Sequence, residues 1–283
     1  MLPDYRDIPV DLSAFGLPKH ALHVRVYEAS KPEISGNKAF KLWYWLHDFP
    51  DNARFLSFGG AFSNHLLALS AAAGHRSIGV IRGERPAKLN PWLQCMQNNG
   101  MSLHFVQRTV FSTFREYPQL ALEKAPDAVL IPEGGGGLKG IQGAALMARG
   151  LQPYDAVALP GGTGTTAAGL LLAEGARHCE IHCFQALKGE GYLQGEISAW
   201  VGAEAAKRLM VHDQFHFGGY ARRSESLLEF ARLWKQHTGI QLDEVYGAKA
   251  MFGLLHNLQK QGSEKRWLYL HTGGLGLIPA IGG

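Results

Sequence analysis

Short apolar runs of strand length alternate along this chain with longer segments whose apolar residues recur at helical spacing. The strand-like runs are Phe55–Phe58, Ser77–Ile81, Leu103–Val106, Ala128–Ile131, Ala156–Leu159, Ile181–Phe184 and Leu268–His271. Helical spacing marks His65–Ala73, Leu89–Asn98, Leu138–Arg149, Thr166–Ala176, Ser224–His237 and Ala248–Gln259. Strands joined by helices form parallel sheets covered on both faces, so this alternation predicts a doubly wound α/β fold. In such folds ligands bind in the loops that follow the strands.

No internal repeat, low-complexity tract or flexible linker interrupts the 283 residues. A chain of this length holds one large domain or two medium ones, and its 46% apolar residues are enough to fill their cores. A second domain therefore has to form by the chain crossing over and returning, because no linker separates two independent units.

Charge, apolar runs and cysteines exclude several classes of protein. The net charge is only +4 and the basic residues form no stripe, so nucleic acid is not an expected partner. No run approaches the roughly 20 apolar residues of a membrane helix, and Met1–Arg6 lacks the pattern of an export signal. Cys95, Cys179 and Cys183 cannot all pair and show no Cys-x-x-Cys spacing. These features predict a reduced, cytoplasmic protein.

Two lysines lie one helical turn apart in the segment SGNKAFKL, residues 35–42. Lys38 directly follows Gly36 and Asn37, which adopt tight backbone angles easily, so its amine can reach into a closed site. Lys41 precedes an apolar run and is better placed to anchor the backbone. A desolvated lysine of this kind can form a Schiff base with an aldehyde. Two ordinary surface lysines at the start of a helix are the alternative.

Three glycine-bearing turns follow strand-like runs, at Phe58–His65, Leu159–Gly169 and His271–Gly276. In the first, Ser63 and Asn64 precede a helix, where exposed N–H groups and the helix dipole favour an anion such as a carboxylate. The same two residues would equally suit a plain N-cap.

The second turn, LPGGTGTTAAG, has the composition of a phosphate-binding loop at the start of a helix. It is not a P-loop, because no Gly-Lys-Ser/Thr follows. It does contain a dinucleotide fingerprint, Gly162-x-Gly164-x-x-Ala167. That interpretation requires an acid at the end of the next strand, and Glu180 stands at the wrong end.

Six motifs, in this order along the chain, are SGNKAFKL, FGGAFSNH, LPGGTGTTAAG, FGGYAR, DEVYGAKAMFGL and HTGG. Together they resemble the pyridoxal-phosphate enzymes of the 1-aminocyclopropane-1-carboxylate deaminase and D-cysteine desulfhydrase family. The resemblance implies the two-domain fold of the tryptophan synthase β subunit, with the cofactor between the domains. It implies a large domain of residues 1–45 and 148–283, a small domain of residues 46–147, and a homodimer.

For the cofactor, the resemblance implies that Lys38 forms the Schiff base and that Asn64 bonds the ring hydroxyl. Tyr246 would lie against the pyridine ring and Thr272 would touch its nitrogen. The 5′-phosphate would be bound by Gly161, Gly162, Thr163, Gly164 and Thr165.

For the substrate, a small amino acid, the resemblance implies that Ser63, Asn64 and His65 hold its carboxylate. Tyr220 would face the substrate, and Ser63, Tyr220 and Tyr246 would join Lys38 as catalytic residues. The bland alternative is that both tyrosines are core aromatics. Thr272 has a plain strand-end cap as its alternative, and His65 a helix-start residue without a ligand.

Several positions depart from the family pattern: Ser35, Phe40, Leu67, Leu69 and Gly247. A protein that binds the cofactor, or keeps only the fold, without catalysis is one alternative, and a nucleotide-dependent oxidoreductase is another.

Three positions distinguish the two branches of the family. His65 and Thr272 match the desulfhydrases, whereas Gly247 matches neither branch and lacks the deaminase glutamate. A hydroxyl at the ring nitrogen leaves the ring largely neutral, which favours β-elimination. The sequence therefore predicts release of pyruvate and ammonia from a substrate such as D-cysteine, with 1-aminocyclopropane-1-carboxylate deamination as the alternative.

Overall fold

The computed structural model describes residues 2–19, 21–28, 31–219, 222–261 and 264–274. Within these ranges the strands are β1 (Asp4–Val10), β2 (Leu22–Glu28), β3 (Phe55–Gly59), β4 (Ser77–Arg82), β5 (Ser102–Val106), β6 (Val129–Leu130), β7 (Ala156–Gly161), β8 (Glu180–Gln185), β9 (Leu209–His212) and β10 (Trp267–Leu270). The α-helices are α1 (Asn37–His47), α2 (Asn64–Ala73), α3 (Pro91–Asn98), α4 (Arg108–Glu116), α5 (Gly137–Ala145), α6 (Thr165–Leu172), α7 (Tyr192–Ala206), α8 (Glu225–Thr238) and α9 (Gly247–Gln261). In the part of the chain that these ranges cover, no helix has the length and apolar character to span a bilayer.

The strands form two sheets, one of six strands in the order β1-β2-β10-β7-β8-β9 and one of four in the order β5-β4-β3-β6. All neighbouring strands are parallel except β1 and β2, which pair antiparallel at one edge. The predicted fold class, doubly wound parallel α/β, is thus confirmed, with this edge hairpin as a departure. The sequence pattern does not predict β1, because it is a largely exposed edge strand rich in charge that also contains Pro9.

Both faces of the six-stranded sheet are buried, which explains why its central strands appear as continuous apolar runs. Successive side chains of β7 point to opposite faces: Val157 and Leu159 pack toward α5, α6 and α7, and Ala156 and Ala158 toward α8 and α9. The four-stranded sheet is built in the same way. Phe55 packs with α2 and α3 on one face, and Leu56 and Phe58 pack with α4 on the other.

A buried arginine ties the N-terminal hairpin to the rest of the larger sheet. Arg25 is fully buried and donates to both carboxylate oxygens of Asp7, at 2.6 and 2.7 Å. It also donates to the backbone oxygens of Arg149 and Gly150, at 2.6 and 2.9 Å, and its guanidinium lies 3.8 Å from the ring centroid of Tyr5. Burial alone lowers the pKa of Arg25, but its hydrogen bonds to the Asp7 carboxylate raise it above its ordinary value. This cation therefore stays charged, and protein oxygens accept hydrogen bonds from four of its five N–H groups.

The strands of the six-stranded sheet lie in residues 1–45 and 148–283, and those of the four-stranded sheet lie in residues 46–147. Helix α5 nevertheless contributes Ile141 to the core of the larger sheet, and its backbone packs closely against Gly169 of α6. The exact domain boundary near residue 147 stays a prediction.

Candidate active site

One pocket of about 220 Å³ lies where the reversal points of both sheets face each other. In the larger sheet the strand order reverses between β7 and β10, and in the smaller sheet between β3 and β6. The loops that follow these four strands all line the pocket, as expected for a ligand site in an open α/β sheet. The glycine-bearing turns that the sequence analysis identified therefore meet in one place.

Close backbone packing fixes the loop that carries Lys38. Gly36 has φ 68° and ψ −141°, and a Cβ at this position would collide with the backbone of Thr272. Gly273 has φ 87°, and a Cβ there would stand 2.5 Å from the backbone oxygen of Ser35. The backbone N–H of Asn37 donates to the backbone oxygen of Thr272 at 3.3 Å. The first and last motifs are thus locked against each other through two glycines.

The amine of Lys38 is desolvated inside the pocket. Burial lowers the pKa of Lys38 to about 8, against a smaller opposing effect of the Asp243 carboxylate. Its Nζ donates to Oδ1 of Asn37 at 2.5 Å, and Nδ2 of Asn37 donates to Oγ1 of Thr166 at 2.8 Å. Asn37 therefore connects the lysine to helix α6. An amine with this pKa has a sizeable neutral fraction near pH 7 to 8, as a nucleophile requires.

Lys41 lines the same pocket and is 4% exposed. The sequence analysis placed it as a backbone anchor, whereas the helical turn brings its side chain beside Lys38. Burial, and then the charge of Lys38, lowers the pKa of Lys41 well below its ordinary value. Within the described residues neither lysine forms an ion pair. This wall of the pocket accordingly favours an anion.

His65 lies under the same wall and is 3% exposed. Its Nε2 is 2.9 Å from Oγ of Ser57, and its buried Nδ1 has no hydrogen-bond partner in the part of the chain that the structure describes. Burial, and then the charges of Lys41 and Lys38, lowers the pKa of His65 well below its ordinary value. The ring is therefore neutral, and its predicted contact with a substrate carboxylate stays a prediction.

Ser63 and Asn64 begin helix α2 at the pocket wall. Ser63 is the N-cap, since its hydroxyl oxygen accepts from the backbone N–H of Leu66 at 3.2 Å. A hydroxyl that accepts one bond can still donate another, so the N-cap and the substrate contact are compatible. Oδ1 of Asn64 accepts from Nε1 of Trp92 at 3.0 Å, which fixes the orientation of the amide.

The run Gly161, Gly162, Thr163, Gly164 and Thr165 lines the opposite wall. Gly164 is the N-cap of α6 with φ 75°, and a Cβ there would stand 2.6 Å from Cγ1 of Ile197. Among the described residues no side chain caps this helix, and Oγ1 of Thr163 lies 3.0 Å from Oγ1 of Thr165. Bare N–H groups and adjacent hydroxyls at a helix N-terminus fit a phosphate group.

Tyr246 lies at the same wall, and a Cβ on Gly162 would be 3.2 Å from its Cε1 atom. Asp243 holds it there: Oδ1 accepts from the backbone N–H of Tyr246 and Oδ2 from that of Gly247, both at 2.8 Å. A Cβ on Gly247 would stand 2.8 Å from Oδ2 of Asp243. A glycine at position 247 therefore leaves room for the Asp243 carboxylate to approach the backbone closely.

Of the two remaining predicted site residues, one lines the pocket and the other lies outside the described part of the chain. Thr272 is 8% exposed and lines the pocket. Tyr220 lies outside the described residues, so its predicted role stays a prediction. Sequence reasoning missed Asn37, Lys41 and Asp243 as pocket residues. Their signal was present, because Asn37 and Lys41 flank Lys38 and Asp243 stands three residues before Tyr246.

Comparison with known proteins shows which enzymes this chain is similar to. No protein-family model matches the chain. It is 26% identical to the mitochondrial bifunctional D-cysteine desulfhydrase/1-aminocyclopropane-1-carboxylate deaminase of Arabidopsis thaliana, over 92% of this chain and 74% of that protein. It is 28% identical to a Thermotoga maritima protein provisionally named as a 1-aminocyclopropane-1-carboxylate deaminase, over 91% of this chain and 90% of the other. The chain is a relative of this deaminase and desulfhydrase family. The resemblance drawn from the six motifs is confirmed.

Comparison with solved structures shows the fold of this chain. A homologue of 1-aminocyclopropane-1-carboxylate deaminase superimposes with a TM-score of 0.78 at 21% identity, covering 98% of this chain and 90% of the other. A hydrogen sulfide-producing enzyme of Fusobacterium nucleatum superimposes with a TM-score of 0.68 at 12% identity, covering 98% and 97%. The predicted tryptophan synthase β-like arrangement is the fold of this chain.

Proposed function

We propose that this protein is a pyridoxal-phosphate-dependent lyase that deaminates a small amino acid by β-elimination, in the manner of a D-cysteine desulfhydrase. One observation carries the proposal: the desolvated amine of Lys38 shares a pocket with a helix N-terminus that has no side-chain cap and whose N–H groups suit a phosphate. The relationship to enzymes with these names supports the same reaction class.

The residues present fit the cofactor. Gly161 to Thr165 would hold the phosphate, Lys38 would bond the aldehyde carbon, and Tyr246 would cover one side of the ring. Thr272 would contact the ring nitrogen and Asn64 the ring hydroxyl. When bound, pyridoxal phosphate withdraws electrons from the α-carbon of an amino acid.

The protein residues supply positioning and proton transfer. The start of α2, with Ser63, orients the substrate carboxylate through backbone N–H groups. With the cofactor bound, the amine of Lys38 would take the α-proton of the substrate, for which a pKa of about 8 is well suited. The β-substituent would leave with the electron pair of its bond to the β-carbon, and water would hydrolyse the released enamine to a keto acid and ammonia.

The groups that would surround the cofactor ring favour β-elimination over reactions that require a strongly electron-withdrawing ring. Both oxygens of Asp243 accept backbone N–H groups, so this carboxylate acts as a helix cap. A threonine hydroxyl at the ring nitrogen cannot enforce protonation as a carboxylate would. A good leaving group such as sulfide or chloride needs less electron withdrawal than opening of a cyclopropane ring does.

The non-catalytic alternative rested on three departures from the family pattern, Phe40, Leu67 and Gly247. Phe40 and Leu67 are buried in the cores and are not among the pocket-lining residues. The oxidoreductase alternative loses its required acid: Glu180 lies at the start of β8, and Gln185 occupies the pocket end of that strand. These placements favour the lyase.

The homodimer and the cytoplasmic location are also parts of this proposal. All three cysteines are unpaired, as a reducing compartment would keep them. Light scattering of the purified protein tests the dimer, and fractionation of the source cells tests the location.

The test is spectroscopic first and kinetic second. The purified protein should absorb near the visible edge, and borohydride should fix the cofactor to the peptide that contains Lys38. D-cysteine or β-chloro-D-alanine should then yield pyruvate. Steady release of 2-oxobutanoate from 1-aminocyclopropane-1-carboxylate, with no pyruvate from either D-amino acid, would favour the deaminase alternative. A colourless protein that binds no cofactor would overturn the proposal.

A further inference from the structure

A second cavity, of about 670 Å³, adjoins the pocket described above, and we name it the outer pocket. It lies at the carboxyl ends of β4 and β5 in the smaller sheet. Its walls include Arg82 at the end of β4, Asn90 and Leu93 at the start of α3, and Arg108 at the start of α4. The carboxyl edge of a parallel sheet is where α/β proteins bind small molecules.

The charge around the outer pocket is one-sided. Arg82, Lys88 and Arg108 line it, against the single acid Glu84. In the part of the chain that the structure describes, none of the three cations forms an ion pair, whereas Arg6 of the larger sheet does, with Glu28 at 2.5 Å. A concave surface with three unpaired cations concentrates anions.

The backbone adds donors to these charges. Helix α4 has nine residues, and its N-cap Gln107 makes no side-chain cap bond. Helix α3, in contrast, is capped, since Oδ1 of Asn90 accepts from the backbone N–H of Leu93 at 2.9 Å. Gln107, Arg108 and Thr109 all line the outer pocket, so the uncapped end of α4 faces the cavity with its partial positive charge.

Arg82 connects the two pockets, because it lines both of them. Its Nη2 lies 4.0 Å from the position that a Cβ on Gly60 would occupy. Gly60 lines the pocket that contains Lys38, which we call the inner pocket, and Ala61 lines the outer pocket. Ser63, in the same loop, lies at the predicted binding site for the substrate carboxylate. A molecule seated at Ser63 therefore has a route toward Arg82.

We infer that the outer pocket binds a carboxylate or phosphate group of a small molecule, through Arg82, Arg108 and the start of α4. The group is either the far end of an extended amino-acid substrate or a separate small anion. The inference rests on the proposed function only for the substrate source. The pocket itself follows from the cavity, its cations and the uncapped helix.

Inorganic phosphate is a suitable first probe, because the cofactor fills the inner phosphate site of the holoenzyme. Calorimetry should detect phosphate binding to the holoenzyme, and Arg82→Gln and Arg108→Gln should each weaken it about tenfold, as expected for loss of a charge-assisted hydrogen bond. Arg85→Gln is the matched control. Arg85 lies in the same loop, 5.5 Å from the ring of Phe105, but it does not line the cavity.

Kinetics with two substrates then distinguish the source of the anion. S-carboxymethylcysteine and S-ethylcysteine, each as both enantiomers, differ in the charge at the far end. Phosphate competing with the carboxymethyl compound alone would support the substrate source. Phosphate that binds without competing with either would support a separate anion.

Absence of phosphate binding, or equal binding in the wild type, Arg82→Gln and Arg108→Gln, would overturn the inference. Because calorimetry requires no turnover, a protein inactive on every amino acid would count against the proposed function and leave the outer pocket standing.

Discussion

Buried cations in two regions of this molecule have opposite surroundings. Arg25, under the N-terminal hairpin, has a carboxylate, two backbone oxygens and an aromatic ring around it, and its pKa is raised. Lys38 and Lys41, in the pocket, have no ion pair in the described part of the chain, and their pKa values are lowered. Burial lowers the pKa of all three side chains, so it does not explain the difference. The difference lies in how many partners the fold supplies.

The comparison teaches where this fold satisfies a charge and where it leaves one for a ligand. Removal of one partner from a buried ion pair leaves an uncompensated charge, which is strongly destabilising. An unpaired buried amine destabilises the free protein but is ready to react with an aldehyde or bind an anion. Changes in the pocket should therefore abolish activity, whereas changes around Arg25 should lower stability.

The largest effect is expected from Lys38→Ala. The visible absorption of the bound cofactor and all turnover should disappear together, because this amine is the one proposed to bond the cofactor and to move the α-proton. Denaturant unfolding should show a stability equal to or above that of the wild type, since a desolvated amine has been removed. Absorption that survives this change but disappears in Lys41→Ala would show that the two lysines have been assigned in the wrong order.

Asp7→Ala should produce the opposite pattern. It leaves Arg25 buried without its carboxylate, and the free energy of unfolding should fall by about 3–5 kcal/mol. Urea unfolding of the cofactor-free protein measures this loss. Turnover per folded molecule should be unchanged, and a loss of activity at full stability would contradict the division between the two regions.

Gly164→Asp tests the phosphate wall. The residue has φ 75°, and a new side chain would meet Ile197 and add a negative charge beside the cofactor phosphate. Cofactor affinity should fall about a hundredfold, equivalent to roughly 3 kcal/mol, while the circular dichroism spectrum stays that of the wild type. Gly191→Asp is a matched control, because this glycine has φ 68° and open space around it. Undiminished cofactor affinity in Gly164→Asp would place the phosphate elsewhere.

The smallest effect is a pH dependence of the cofactor-free protein. Lys38 has a pKa lowered to about 8 in the folded state, so between pH 8 and its ordinary pKa the unfolded chain binds more protons. Stability should therefore rise with pH across this window, with a slope from this residue of at most about 1.4 kcal/mol per pH unit. Lys38→Met should reduce the slope, as measured by unfolding at several pH values. An identical slope in both proteins would mean that the lysine is not desolvated.

The sequence predicted best those strands of the fold that are buried on both faces. β3, β4, β7, β8 and β10 appear as apolar runs because both of their faces are covered. β1, β2 and β9 were missed, and all three contain exposed or half-buried residues; in β1 only Val10 is buried. Helix α7 was missed because it contains Gly195 and Gly202, and Gly202 interrupts the helical conformation with φ 79°.

The motifs of the site were predictable, but the partners that tertiary structure brings to them were not. The pocket loops carry recognisable glycine patterns, so Lys38 and Gly161–Thr165 could be named in advance, and the structure places them at the pocket; their roles stay predictions. The pairing of Ser57 with His65 and the position of Asp243 depend on how strands and helices pack. No spacing along the chain encodes those contacts.

The place of β10 in the larger sheet has a consequence for biosynthesis. This strand is the last one the structure describes, yet it lies between β2 and β7 near the sheet centre. Until it emerges from the ribosome, β2 and β7 have no common neighbour, and the Gly36 loop has no Thr272 backbone to pack against. A nascent chain can therefore carry Lys38 and the Gly161–Thr165 loop without holding them together. Capture of the cofactor becomes a late event, after nearly all of the larger sheet has been synthesised.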